Sequence, residues 1–132
     1  MNIWSRSDKT GIVFDSSTMF TLPNGAKRSP DVSWMPKEKW ESLSLSERRK
    51  FSRVVPDFVI ELRSPSGYLG DVQEKMTAYI ENGVRLGWLI DPIERKVHVY
   101  RVNGEIEILE NPEKISGENV LPGFELNVGE IW

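Results

Sequence analysis

Cysteine is absent from the 132-residue chain. Disulfides, thiolate metal ligands and thiol nucleophiles are therefore excluded together, and the absence agrees with a reducing compartment. Histidine is nearly absent too. The single His98 falls in a predicted hairpin strand, where a packed or surface role outweighs a ligand or catalytic one, and no Ser/His/Asp set can be assembled around it. No segment approaches the ~20 apolar residues needed to cross a bilayer, and Met1-Asn2-Ile3-Trp4-Ser5-Arg6 lacks the apolar run of a signal peptide. Cytoplasmic residence is the expectation. There is no excess of positive charge: 17 Lys and Arg against 20 Asp and Glu give a net charge of -3, which argues against a plain DNA-binding module. It argues less against a metal-dependent nuclease, whose carboxylate site is acidic until a cation fills it. Internal repeats, low-complexity tracts and Gly/Ser linkers are also missing.

What is present suits one domain over residues 1–132. The chain is 39% hydrophobic and 28% charged, which is enough apolar material for a core. The first eight residues read either as a helix end or as an ordered tail. Gly11-Ile-Val-Phe and Thr18-Met-Phe-Thr-Leu22 read as strands, the second closed by Pro23-Asn24-Gly25, so an antiparallel hairpin start is expected. Pro30-Asp31-Val32-Ser33-Trp34-Met35 reads as a short strand opening at a proline. Ser44-Leu45-Ser46-Glu47 is a capping-box pattern ahead of a helix. Val54 to Leu62 carries the strongest strand signal, its end Phe58-Val59-Ile60-Glu61-Leu62-Arg63 apolar on both faces except for Glu61 and Arg63, as befits a central strand. A helix follows to about Asn82 with the stripe Leu69, Val72, Met76, Tyr79 and Ile80, and Gly83 stands where a C-terminal cap belongs. Leu86 to Ile90 is a strand stopped by Asp91-Pro92, and Lys96 to Val102 pairs with Glu105 to Leu109 across Asn103-Gly104. The rest reads as an irregular cover. The expected class is α/β (α+β), a mixed central sheet flanked by helices, whose strand, helix and strand between Val54 and Ile90 form one crossover unit.

Along the central strand the period of two sets Asp57, Val59, Glu61 and Arg63 on one face and Phe58, Ile60 and Leu62 on the other. An ionisable group in an apolar strand is costly unless it is paired or holds an ion. An ion pair between Glu61 and Arg63 at the strand end is one explanation, and the strand alone does not choose. Asp31 supplies a second carboxylate on a strand that could lie alongside, and two carboxylates with water and phosphate oxygens suit Mg²⁺. Asp57 is too far, since four residues at ~3.3 Å set it ~13 Å from Glu61, and it reads as a strand-entry residue. Lys75 and Tyr79 share a helix face. The plainer reading of Lys75 is an exposed pair with Asp71, worth ~0.3 to 0.5 kcal/mol.

These residues resemble a known family, the Uma-two restriction-endonuclease-like proteins of the PD-(D/E)XK superfamily. The resemblance covers nearly the whole chain. It runs through Ser29-Pro30-Asp31-Val32-Ser33-Trp34, Pro56-Asp57-Phe58-Val59-Ile60-Glu61-Leu62-Arg63-Ser64-Pro65-Ser66, Lys75 and Tyr79, and Gly87-Trp88-Leu89-Ile90-Asp91-Pro92, pieces that are specific by their order and spacing. It implies a restriction-endonuclease-like fold and a metal-dependent endonuclease hydrolysing DNA. Asp31, Glu61 and the backbone carbonyl of Leu62 would be ligands for Mg²⁺ or Mn²⁺. Lys75 would be the catalytic lysine reaching in from the helix, supported by Tyr79 and Arg63. Arg63 departs from the pattern, because a guanidinium cannot exchange a proton near neutral pH, though it can hold phosphate. The chain also begins just before the first hairpin, where family members carry a longer helical region that often adds an acidic residue. An N-terminally shortened domain is thus implied. The competing expectation is a catalytically impaired protein of the same fold, acting as an interaction or nucleic-acid-binding module.

Several features carry less. Arg48, Arg49, Lys50 and Arg53 form a basic patch that could meet phosphates or simply face solvent. Gly67 and Gly70 lack the spacing of a dinucleotide fingerprint. The five tryptophans read mostly as core or interface packing. Together with the shortened N-terminus they lead to the expectation of a homodimer.

Overall fold

A sheet whose central strands are apolar on both faces needs a layer on each side, and the chain supplies both. The computed structural model describes residues 11–51 and 54–132; the expectations for the first eight residues, Trp4 and Arg53 lie outside them. In chain order the elements are β1 (Gly11–Asp15), β2 (Phe20–Thr21), β3 (Lys27–Arg28), β4 (Val32–Pro36), α1 (Lys37–Ser42), α2 (Leu45–Lys50), β5 (Phe58–Leu62), α3 (Leu69–Glu81), β6 (Leu86–Asp91), β7 (Lys96–Arg101), β8 (Ile106–Glu110), β9 (Lys114–Ser116) and β10 (Glu125–Asn127), then a 3₁₀ turn over Val128–Glu130. Six strands form one sheet in the order β1-β4-β5-β6-β7-β8. Only β5 and β6 run parallel, and α3 is the crossover between them.

The antiparallel start has a different pairing from a simple first hairpin. β1 pairs with β4, Val13 opposite Trp34, while β2 pairs with β3 across Pro23-Asn24-Gly25. Two paired residues on each strand are too few to extend the main sheet, so this small hairpin packs on it through Phe20 and Leu22. β5 begins at Phe58 rather than at Val54. Its ladder to β4 opens at Phe58 opposite Trp34, and Pro56 has no N–H to give. The C-terminal cover is more regular than expected. Three-residue strands are too short to show a period, yet β9 and β10 pair there.

Each face of the sheet has its own core. Phe58, Ile60, Trp88, Ile90 and Val99 meet Ile115, Leu121 and Phe124 of the C-terminal cover. Val59, Leu89 and Tyr100 meet Met76 and Tyr79 of α3 and the hairpin's Phe20 and Leu22 on the other. Burying side chains of this size stabilises by roughly 1.5 to 3 kcal/mol each. Gly87 sets how closely α3 approaches, because a Cβ there would meet Met76 Cε at 2.7 Å. The helix lies over β6 and β7, and its Tyr79 reaches across to Glu61 near the end of β5.

Local signals behave as their chemistry requires. Ser44 and Glu47 form the full capping box, Glu47 N–H donating to Ser44 Oγ at 3.1 Å and Ser44 N–H to Glu47 Oε1 at 2.8 Å. Gly104 takes φ +89° in the β7–β8 turn, a conformation other residues adopt only under strain.

Candidate active site

Asp31 and Glu61 meet because of register. β4 and β5 are antiparallel with Val32 opposite Ile60 and Ser33 opposite Val59, so one further residue sets Asp31 opposite Glu61. Directly opposite side chains lie on the same face, here the face that α3 covers. The first carboxylate is fixed by backbone: Leu62 N–H donates to Asp31 Oδ2 at 2.7 Å. The second is fixed by the helix, since Tyr79 O–H donates to Glu61 Oε2 at 2.6 Å and Lys75 Nζ stands 3.8 Å from the same oxygen. Spacing of four residues on α3 brings both side chains to one carboxylate.

Glu61 is buried, with 4% of its surface exposed. Burial pushes its pKa up, and the neighbouring Asp31 adds to that through its charge and a hydrogen-bonding contact. The Tyr79 hydroxyl and the Lys75 ammonium pull the other way without cancelling the rise. The Tyr79 phenol is pushed far above its ordinary value by burial first and then by Glu61, so it stays a donor.

The sequence-based candidates divide accordingly. Asp31, Glu61, Lys75 and Tyr79 converge, and the Tyr79 hydroxyl acts on Glu61 rather than on Lys75. Among the described residues Glu61 is the one ion-pair partner of Lys75, so the exposed pair with Asp71 does not form. Arg63 goes elsewhere. It follows the last residue of β5, beyond the reach of the strand's alternation, and its guanidinium lies 3.0 Å from Asp91 Oδ2 and 3.4 Å from Glu94 Oε2. Asp91 is fully buried and also accepts N–H bonds from Ile93 and Glu94, which makes this a structural clasp at the ends of β5 and β6. The expected Glu61–Arg63 pair is therefore replaced by two separate arrangements.

Asp57 enters β5 between Lys39 at 2.8 Å and Arg85 at 3.5 Å. His98 is packed on β7, and burial lowers its pKa. Arg48 is held over the Trp40 ring and donates to the Trp40 carbonyl, whereas Arg49 and Lys50 join Lys27 along a cleft of about 390 Å³ with Thr18 and Thr21. Trp88 is wholly buried and Trp132 donates to the Pro112 carbonyl, so both serve packing. One residue near the site escaped the sequence reading. Arg28 on β3 lies three positions before Asp31, and its charge bears on the Tyr79 phenol.

As a donor set for a cation, Asp31 and Glu61 are two hard oxygens side by side. Burial first, and then the like charge of Asp31, raise the Glu61 pKa, and a bound cation would act in the opposite direction. No group of three or more His, Cys, Asp or Glu side chains suited to a metal occurs among the described residues. The protein would thus contribute two carboxylates and leave the remaining positions to backbone oxygen, water and substrate, the usual habit of Mg²⁺.

The result is an α+β domain, a mixed sheet with a carboxylate pair at the ends of two neighbouring strands and a helix lysine beside it. The sequence model of the Uma2 family, described as "Putative restriction endonuclease", matches residues 1–129, and the chain belongs to that family. A solved structure from Anabaena variabilis, "a putative nuclease belonging to DUF820", superimposes with a TM-score of 0.78 at 23% identity, covering 98% of this chain and 72% of that one. At that identity the likeness establishes the fold. A search of curated proteins gave no match.

Proposed function

We propose that the protein is a metal-dependent endonuclease that hydrolyses DNA phosphodiester bonds. The observation that carries this reading is the convergence of Asp31, Glu61 and Lys75, with one Glu61 oxygen facing both Tyr79 and Lys75. Asp31 and Glu61 would hold Mg²⁺ or Mn²⁺, with the Leu62 carbonyl as a third ligand. When bound, such an ion supplies positive charge against the phosphate and acidifies a water. Tyr79 keeps Glu61 oriented, and the Leu62 N–H keeps Asp31 turned toward it. Lys75, 40% exposed, faces the substrate side and can orient the attacking water or balance the charge that grows on phosphorus. The cleft lined by Lys27, Arg49 and Lys50 offers a path for flanking phosphates, which the net charge of -3 would otherwise discourage.

That only two candidate ligand side chains converge among the described residues favours the rival reading, a nucleic-acid-binding or interaction module of the same fold without catalysis. Incubation of plasmid or duplex DNA with purified protein decides between them. Cleavage is expected with Mn²⁺ or Mg²⁺ and none with EDTA; binding without cleavage in either metal sinks the nuclease reading.

The same proposal includes a homodimer in a reducing, cytoplasmic setting. β8 is an edge strand of the sheet, and Ile106 and Ile108 on it are about half exposed. Edges of this kind pair readily with a second copy. Light scattering is expected to give twice the 15.2 kDa chain mass, and Ile106→Lys with Ile108→Lys should return it to the single-chain value. A wild-type particle of 15.2 kDa at high concentration removes the dimer.

A further inference from the structure

We infer that Arg28 is a substrate-contacting residue of this site, its guanidinium gripping the two non-bridging oxygens of the scissile phosphate. The inference rests on the nuclease reading and adds to it a residue that neither the carboxylates nor the helix supplies. Its basis is placement. In the β2–β3 hairpin Arg28 is directly opposite Phe20, and opposite residues of an antiparallel pair project from the same face. Phe20 is 1% exposed and packs in the core cluster that contains Tyr79, so the hairpin turns Arg28 inward, toward the helix face that carries the site. The chain then needs only Ser29 and Pro30 to reach Asp31.

The environment of Arg28 fits a cation held for an absent anion. Its Nε is shielded from solvent and has no hydrogen-bond acceptor. One terminal nitrogen donates to the Lys27 carbonyl at 2.9 Å, and among the described residues no carboxylate lies within ion-pairing distance. Other inward-turned arginines in this molecule are satisfied: Arg63 has Asp91 and Glu94, and Arg101 has Glu105, Glu107 and Glu118. Leaving a guanidinium N–H buried and unmet is costly, and a fold that keeps one close enough for its charge to act on the Tyr79 phenol keeps it for a partner that arrives later. The planar fork of arginine matches two phosphate oxygens, which a lysine ammonium cannot do. Arg28 and Lys75 would then approach the phosphate from the hairpin and from the helix, on either side of the carboxylate pair.

The test compares wild type with Arg28→Met, which keeps the packing of the stem and removes the charge, and with Arg28→Lys, which keeps the charge and loses the fork. Duplex affinity is measured in EDTA against salt, Mn²⁺ affinity by calorimetry, and cleavage at saturating DNA. Arg28→Met is expected to lower the cleavage rate about thirtyfold and to make the dependence of log K on log salt shallower by about one, the loss of one phosphate contact. Mn²⁺ affinity should be unchanged or tighter, since a repelling cation is gone, and Arg28→Lys should fall between the two. The proposal is overturned if Arg28→Met keeps the wild-type salt slope, if it loses Mn²⁺ affinity and thermal stability together, or if the wild-type protein binds no duplex. A wild-type protein that binds duplex but cuts nothing defeats the nuclease reading alone, and the salt slope still decides Arg28.

Discussion

Glu61→Gln is expected to abolish Mn²⁺ binding, weakening it by at least about two orders of magnitude, while the apo protein keeps or gains stability. The substitution preserves shape and an oxygen that can accept from Tyr79, but it removes one of the two charged donors that the described residues bring to the site. The stability half of the expectation follows from the sign of the Glu61 shift. Its pKa is raised in the folded protein, mainly by burial, so the native state holds the proton more firmly than the unfolded chain. Where the native state binds more protons, stability falls as pH rises. The favourable contribution is full below the ordinary value near 4.5 and is lost as pH climbs through the raised one. Once pH has passed the raised value, the ionised Glu61 is therefore a burden on the apo fold, which glutamine lifts. Metal reverses the balance by favouring the ionised form, so wild-type Mn²⁺ affinity should increase with pH through the same window and level off above it. Calorimetry and thermal melts across pH check both halves. Unchanged Mn²⁺ affinity in Glu61→Gln removes the metal assignment, and a marked fall in apo stability instead returns Glu61 to a purely structural role.

The sequence made some of this arrangement legible and hid the rest, for physical reasons. Glu61 stood out because a carboxylate within an apolar strand breaks a pattern, and the alternation that set it apart from Phe58 and Ile60 is the alternation that divides the two cores. Lys75 and Tyr79 followed from helical spacing on α3. That Asp31 faces Glu61 could be hoped for but not read, because register belongs to a pair of strands and neither strand carries it alone. Arg63 was misplaced by carrying the alternation one residue past Leu62, the end of β5. Beyond that point the partner is chosen by what the neighbouring strand presents, and β6 ends on the buried Asp91. Arg28 gave no local sign, being one arginine beside a lysine in a two-residue strand. Only its pairing with Phe20 shows that it turns inward.

Lys75→Ala is expected to slow DNA cleavage by about two or more orders of magnitude with little change in Mn²⁺ affinity, a loss of about 3 kcal/mol of transition-state stabilisation. The argument depends on what each cation near the site is free to do. The ammonium of Lys75 lies 3.8 Å from Glu61 Oε2, too long for a firm hydrogen bond and short enough to share a phosphate or a water with that carboxylate, and two-fifths of its side chain is open to solvent. It is a compact charge with donors to redirect once substrate arrives. Alanine is the best helix former, so the substitution leaves α3 intact and Tyr79 in place. Because a positive charge leaves the neighbourhood of the carboxylates, metal binding should hold or tighten. Arg63 makes the useful contrast. Its guanidinium is already committed to Asp91 and Glu94, and Arg63→Ala strands a fully buried carboxylate, which should cost about 3 kcal/mol of fold stability while the rate, measured well below the melting temperature, stays near wild type. The two variants therefore separate on different axes, rate for Lys75 and melting temperature for Arg63. Should Arg63→Ala instead lose cleavage with an unchanged melt, while Lys75→Ala cuts normally, the helix lysine is a bystander and the strand-end arginine carries the chemistry after releasing Asp91.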